Sequence, residues 1–391
     1  MFKRILPLFI GTLFSSLSYA SSPTYVTVEE AKAYQAQQEL PEISKQFNLL
    51  ISDFTKQLQT YQANKQGSQK LTALVISTAE QLWQQAISHL QTKQTFDDRA
   101  LYWGRLQLAT VLRTSPAFHY LNKQEQSELM FQFELASRGN NDVSFTKNTD
   151  KKILLTGFDP FFLHRNIAQS NPSGIAAMTF DGMVVEHNGV TAEIQTLMVP
   201  VRFSDFDQGM IETMLTPVFK SNDIDMITTV SMGRSDFDLE RFPGLRRSSV
   251  APGNLGVYTG ANSKNPLIPY LHDKLLTGPE FVEFSLPITA MKQAKGKYKI
   301  NDNRSVETLE QGKFDATSLA QLDNQTAVQG GGGGYLSNEI SYRSILLRDK
   351  YQPQLPVGHI HTPRIKEWKK QEVTDIVEQI KTMLTQSISA L

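Results

Sequence analysis

Ile153-Leu-Leu-Thr-Gly-Phe-Asp-Pro-Phe161 is the stretch on which the reading of this chain turns. A short apolar run that ends at glycine, with turn-forming residues just beyond, has the length and punctuation of a buried strand. Working outward, Ala192 to Val201 forms a second such run, and a helical stretch at 205–220 follows it. Met226 to Ser231, Thr326 to Gln329 and Pro356 to Ile360 are further strands, and helices are expected over 172–179, 336–349 and 371–389. Strands alternating with helices in this way predict an α/β fold, an αβα sandwich around a mostly parallel twisted sheet. In such folds the functional residues gather in the loops beyond the carboxyl ends of the strands.

The chain before residue 150 reads differently. Residues 151–391 hold 19 of the 23 glycines and 13 of the 17 prolines, whereas 21–150 is rich in glutamine, with 18. Leu71, Leu74, Val75, Leu82, Ala86 and Leu90 recur at helical spacing, and further helical stretches are expected near 41–64, 98–114 and 122–138. This predicts an all-α N-terminal domain over 21–148 and an α/β domain over 149–391, joined by a linker at Arg138 to Phe145. The helical domain is expected to contact a protein partner or the α/β domain. Its glutamines are explained more simply as a solvated helix face than as an interaction surface.

The first twenty residues read as a targeting segment. Lys3 and Arg4 precede the apolar stretch Ile5 to Leu17, and Ser18-Tyr19-Ala20 places small residues where a signal peptidase cuts. A membrane anchor is the competing reading, but the stretch falls short of the ~20 apolar residues a span requires. The expectation is an exported protein without a stable membrane anchor after cleavage, periplasmic if the source is a Gram-negative bacterium. With 39 basic and 39 acidic residues, the chain lacks the broad positive surface of a nucleic-acid binder. It has no cysteine, which excludes disulfides, thiolate metal sites and a cysteine nucleophile.

Five segments, each just after an expected strand, carry a resemblance. They are Thr156-Gly-Phe-Asp-Pro-Phe161 with Asn171-Pro-Ser173, then Gly233-Arg234, Leu239-Glu-Arg241, Gly333-Gly-Tyr-Leu-Ser-Asn338 and His359-Ile-His-Thr-Pro363. In that order, over about residues 152–391, the chain resembles pyroglutamyl peptidase I, also called pyrrolidone-carboxylate peptidase. The resemblance implies a peptidase that removes an N-terminal pyroglutamyl residue by a Cys–His–Glu triad and needs no cofactor or metal. Glu240 and His361 match the glutamate and histidine. Ser337 stands where the family has its cysteine, 24 residues before the histidine. Phe158 and Phe161 match the pair that clasps the lactam ring, Asn171 matches an asparagine that holds the nearby loop, and Leu336 adjoins the nucleophile in the pocket. The implied partner is a peptide with a pyroglutamyl or similar N-terminus.

There are departures besides Ser337. Asp238 replaces a Ser or Thr, the segment before Gly233 is short, and the run Gly330 to Gly334 replaces a more ordinary lead-in. An insertion rich in Lys, Asn, Asp and Gln lies around 290–325.

The residues on their own allow the same chemistry. Amide hydrolysis requires a nucleophile, a base and a group that orients the base, and Ser337, His361 and Glu240 are of those types. A hydroxyl cannot pre-ionise as a thiol can, so a pseudo-peptidase that binds capped peptide ends without cutting them is the alternative. Simpler readings also exist. His361 would serve as a satisfied strand-end histidine, Glu240 as a carboxylate paired with Arg241, Arg246 or Arg247, and the two phenylalanines as core. His359 and His361 would share a strand face and could hold a metal, but no third ligand is visible.

Overall fold

The computed structural model describes residues 26–61 and 65–391. The segment read as a signal peptide lies outside them.

The N-terminal part consists of α1 (Val28–Glu39), α2 (Pro41–Ser44), α3 (Asn48–Thr60), α4 (Lys65–Lys93), α5 (Arg99–Thr114), α6 (Pro116–His119) and α7 (Lys123–Ala136). Two of these start at capping boxes, where Thr27 exchanges hydrogen bonds with Glu30 and Asn122 with Glu125. Helix α5 is central, buried along most of its length and packed against α1, α2, α3 and α4.

The α/β part begins with β1 (Lys151–Phe158), α8 (Pro172–Phe180), β2 (Met183–His187) and β3 (Val190–Val199). It continues through α9 (Phe203–Asp207), α10 (Met210–Ser221), β4 (Met226–Met232) and β5 (Phe237–Glu240). The stretch expected as one helix over 205–220 is thus two, because Gly209, at φ +78°, turns the chain between them. After the short hairpin β6 (Tyr270–Leu271) and β7 (Lys274–Leu275) come α11 (Ile288–Met291), β8 (Ile300–Asn303), β9 (Ser305–Thr308), β10 (Gly312–Asp315) and β11 (Ala327–Gln329). The chain closes with α12 (Leu336–Tyr351), β12 (Val357–Thr362) and α13 (Lys370–Ser387).

The main sheet has the order β2-β3-β1-β4-β12-β5-β8. Its centre, β3, β1, β4 and β12, is parallel and largely buried; β1 and β4 read as apolar and β-branched runs, whereas β3 and β12 also bury polar side chains such as Glu193 and His359. Strand β2 runs antiparallel to β3 and β5 antiparallel to β12, while β8 runs parallel to β5. The expected strand at 326–329 exists as β11 but lies outside this sheet, paired with β9 in a small antiparallel one. The insertion around 290–325 supplies β8, which extends the main sheet beyond β5, and the β9–β10 hairpin.

One cluster of buried apolar side chains runs from α3, α4 and α7 through α8 and the sheet to α12 and α13. The helical part therefore shares its core with the α/β part. The segment expected as a linker is a packed turn. Arg138 is fully buried, Asp142 accepts a hydrogen bond from Trp83, and Gly139, at φ +85°, lies so close to the Trp83 ring that a Cβ would meet it at 2.7 Å. Its polar sequence suggested solvent exposure, but the charge it carries has buried partners from the α/β part.

Candidate active site

Strand β12 carries His359 and His361 on one face, as the two-residue period of a strand requires. The antiparallel register (Ile360 with Leu239, His361 with Asp238) brings Glu240 of β5 onto that face, diagonal to His361. The Glu240 carboxylate accepts from His361 Nδ1 at 2.5 Å. Both residues are buried, Glu240 almost completely. Glu240 is thus a strand residue committed to the histidine, and the arginines near it are paired elsewhere. Arg241 binds Asp302 and Glu283, Arg246 binds Glu280, and Arg247 binds Glu339 and Asp207.

The second oxygen of Glu240 is also held. Asn303 Nδ2 donates to Glu240 Oε2 at 2.6 Å, and its Oδ1 accepts from Ser305 N–H. Asn303 ends β8, in parallel register with Glu240. Sequence reasoning missed it, because nothing marks one asparagine within a polar insertion. Only the pairing of β8 with β5 reveals it.

His359 is not available for a metal. Its Nδ1 meets the Thr229 hydroxyl and its Nε2 the Ser231 hydroxyl, each at 2.7 Å. Burial, with His361 beside it, holds its pKa well below that of an ordinary imidazole, so it is a neutral ring seated between two hydroxyls. His361 lies edge-on to it, ring centroids 5.0 Å apart. Among the described residues His361 makes no hydrogen bond through Nε2.

Ser337 is the second residue of α12, so its backbone N–H belongs to the first helical turn, whose donors have no partner within the helix. The turn before it depends on glycine. Gly332 and Gly333 have φ of +100° and +83°, and a Cβ on Gly330 would lie 2.1 Å from Gly244 N and 2.3 Å from Asn338 Oδ1. Asn338, next to Ser337, clamps Gly244 by accepting from its N–H and donating to its carbonyl. Glu339 is fixed by Arg247 and Arg343, whose charges outweigh its burial and lower its pKa.

A narrow pocket of about 20 Å³ lies over Ser337, lined by Phe158, Phe161, Asn171, Ser231, Tyr335 and Leu336. The structure thus gathers every pocket residue expected from the sequence around Ser337. The link to the histidine runs through Ser231, which pairs in register with His361 across β4 and β12. Ser337 makes no side-chain hydrogen bond among the described residues, so the serine and histidine are not hydrogen-bonded to each other. Phe158 is buried and stacks on Phe206, while Phe161 is half-buried. Asn171 caps α8 through Ser173 and ties down the Asp159 carbonyl. A larger cavity of about 340 Å³ lies between the helical and α/β parts, but no histidine lines it, and its Glu29, Glu30, Arg113, Glu134, Arg202 and Asp205 are paired with one another.

The pocket loop is braced from the helical part. Asp159, directly after Phe158, receives Arg105 Nη1 at 2.8 Å and Arg138 Nη1 at 2.7 Å, and all three side chains are at most 1% exposed. Leu163 and Ile167 of the same loop pack against Ala33, Ala36, Tyr102, Trp103 and Leu106. Close by, Arg202 joins Glu29, Glu134 and Asp205. Burial raises Asp205 to about 6, opposed by Arg202. Burial would raise Glu134 too, but Arg202, Arg138 and Arg105 outweigh it and hold it far below the usual carboxylate range.

The parallel sheet, the glycine turn that presents residue 337, and the Glu–His pair define a pyrrolidone-carboxylate-peptidase-like α/β fold. Over this part the chain is homologous to the pyrrolidone-carboxylate peptidases. It is 26% identical over 244 residues to that of Staphylococcus aureus strain bovine RF122 / ET3-1, an alignment covering 61% of this chain and 92% of the relative. Three quarters of the chain is similar to the uncharacterized protein PA0049 of Pseudomonas aeruginosa, at 27% identity over 75% of this chain and 70% of that protein. Accordingly, residues 15–134 match the family model of the PA0049 N-terminal domain, and residues 152–279 and 315–366 match that of its C-terminal domain. The unmatched interval, 280–314, contains β8 and Asn303. Among solved structures, a mutant pyrrolidone carboxyl peptidase from Pyrococcus furiosus aligns with TM-score 0.43 and 21% identity, covering 61% of this chain and 99% of that one. Pyroglutamyl peptidase I of Bacillus amyloliquefaciens aligns with TM-score 0.41 and 21% identity, covering 61% and 98%.

Proposed function

We propose that this chain is a hydrolase that removes an N-terminal pyroglutamyl or similar capped residue from peptides, with Ser337 as nucleophile, His361 as base and Glu240 orienting the imidazole. The observation that carries the reading is the Glu240–His361 hydrogen bond, which leaves His361 Nε2 unengaged on the strand next to Ser231, a residue that lines the pocket over Ser337. With Glu240 accepting at Nδ1, the proton sits there and the lone pair is on Nε2. Nε2 takes the Ser337 proton as Oγ adds to the carbonyl carbon of the capped residue. The resulting oxyanion lies at the N-terminus of α12, where free N–H groups stabilise it. His361 then gives its proton to the departing amine as the C–N bond breaks. Water, deprotonated by the same nitrogen, hydrolyses the acyl-serine ester. Phe158 and Phe161 form the apolar wall for the ring, Phe161 being the half-buried side from which it approaches.

A second reading, a binder without turnover, draws support from the missing Ser337–His361 hydrogen bond. A fluorogenic pyroglutamyl amide decides between them. The first reading predicts turnover abolished by Ser337→Ala. No turnover by the natural protein, together with turnover created by Ser337→Cys, would replace it with the second. We also propose, from the Lys3 to Ala20 pattern alone, that the chain acts after export; N-terminal sequencing of the protein from its source tests this by whether the chain starts at Ser21.

A further inference from the structure

The aromatic wall of the pocket continues into a patch of unpaired positive charge. Phe161 touches Phe162 at a ring separation of 4.4 Å, and Phe162 is held at φ +62°, a conformation rare for a bulky side chain. The guanidiniums of Arg165 and Arg364 both sit on the Phe162 ring, 5.3 and 5.4 Å from its centroid. Arg364 N–H donates to the Arg234 carbonyl at 2.7 Å, which brings together the ends of β4 and β12. Arg165, Arg234, Arg364 and Lys366 are exposed and, among the described residues, form no ion pair. His164, edge-on to Phe162, adds a titratable ring.

Three carboxylates near the patch are engaged elsewhere. Glu367 pairs with Lys369, Asp97 with Arg99, and Asp236 accepts from Lys299 N–H. On its other side Arg234 borders a polar cleft that it shares with Lys313, Asn303, Glu307 and the glycine turn. In a chain whose opposite charges balance and whose buried arginines are all paired, this gathering at the mouth of the pocket is a local excess. Leu163 and Ile167 anchor the loop from behind on the helical part, so the cations are displayed by a fixed support.

We propose that Arg165, Arg234, Arg364 and Lys366 form a subsite for the peptide downstream of the capped residue, and that the ligand is an acidic peptide. This rests on the reading of the pocket as a binding site for capped N-termini. Carboxylates placed on this patch would find the guanidiniums of Arg165 and Arg364 already oriented by Phe162, with Glu307, across the cleft from Arg234, as the neighbouring acid.

The test is binding to the full chain carrying Ser337→Ala, with labelled peptides of equal length. One set has a pyroglutamyl end followed by Asp and Glu, by Ser, or by Lys. A further acidic peptide has a free N-terminus. Since each exposed pair contributes a factor of roughly two to five, the acidic capped peptide should bind about tenfold tighter than the neutral one. The preference should fade at high salt and disappear in Arg234→Gln/Arg364→Gln. Equal affinity for all three capped peptides would overturn the subsite and leave the pocket reading intact. Arginine-dependent binding of acidic peptides regardless of the cap would keep the subsite and overturn the pocket reading. Binding of none of them would overturn both.

Discussion

Asp159→Ala tests how the two parts of the chain are joined. Asp159 lies between Arg105 and Arg138, each oxygen accepting one guanidinium N–H, and none of the three side chains is more than 1% exposed. Removing the carboxylate leaves two guanidiniums in the core. Arg105 keeps only neutral partners on Ser137, and Arg138 keeps Glu134. Burial and the neighbouring Arg138 already lower the pKa of Arg105, so the loss of its counter-charge falls on a group held at a cost. Deleting one partner of a buried pair destabilises by about 3–5 kcal/mol, mostly through the uncompensated charge. With an unfolding entropy of about 2 cal/mol/K per residue, a chain of this size should lose roughly 4–6 °C in Tm. Calorimetry or urea titration measures this directly. Asp159→Asn, which keeps the shape and one acceptor, should fall between. Asp53→Ala, which removes the exposed pair with Lys56, is the control and should change nothing measurable. A loss below about 1 kcal/mol for Asp159→Ala, or one matched by the control, would refute the view that these pairs lock the pocket loop to the helices.

Two further predictions concern groups around the site. Burial raises Asp98 to about 8, even though Ser170 and Asn171 hydrogen-bond to it, so the folded state binds its proton more tightly than the unfolded chain does. Its contribution to stability is therefore complete below about pH 4 and lost as pH rises towards 8; Asp98→Asn should flatten that decline, and an unchanged slope of Tm between pH 5 and 8 would contradict it. Asn303→Ala removes a hydrogen bond to a buried carboxylate and should cost about 1.5–3 kcal/mol in urea unfolding, with kcat falling more than KM changes. A variant neutral in both measurements would show that Glu240 is oriented without it.

What was legible in the sequence follows from the range of the interactions. Strands β1 and β4 showed because burial on both faces fills them with apolar and β-branched residues, and α13 because its length carries the helical period. Phe158, Phe161, Asn171, Leu336 and Ser337 line one pocket, and the sequence could group them because each ends or follows a strand or starts a helix in a recognisable segment. The misreadings arose where local polarity was a poor guide. Arg138 reads as the start of a linker because its partner, Asp159, is 21 residues away. Asn303 sits 63 residues from Glu240, within an insertion whose composition resembles a surface loop. Strand β11 is three residues long, too short for its sequence to say which sheet it joins. Phe162 and Arg364 meet only because the loop after β1 and the end of β12 lie side by side.

The shared core also constrains how the molecule is made. The helices leave the ribosome first, carrying Arg105 and Arg138 and an apolar face on α4 that rests on α8 in the finished protein. Until Asp159 and the sheet follow, Arg105 lacks its counter-ion, Arg138 has only Glu134, and that face lacks its cover, so the helical segment is an unfinished body rather than an early-folding module. The reverse holds for the sheet, whose first crossover helix waits on one side for a layer synthesised before it. Neither half is a natural product of truncation, and cutting the chain near residue 148 should give two aggregating fragments instead of a peptidase and its appendage.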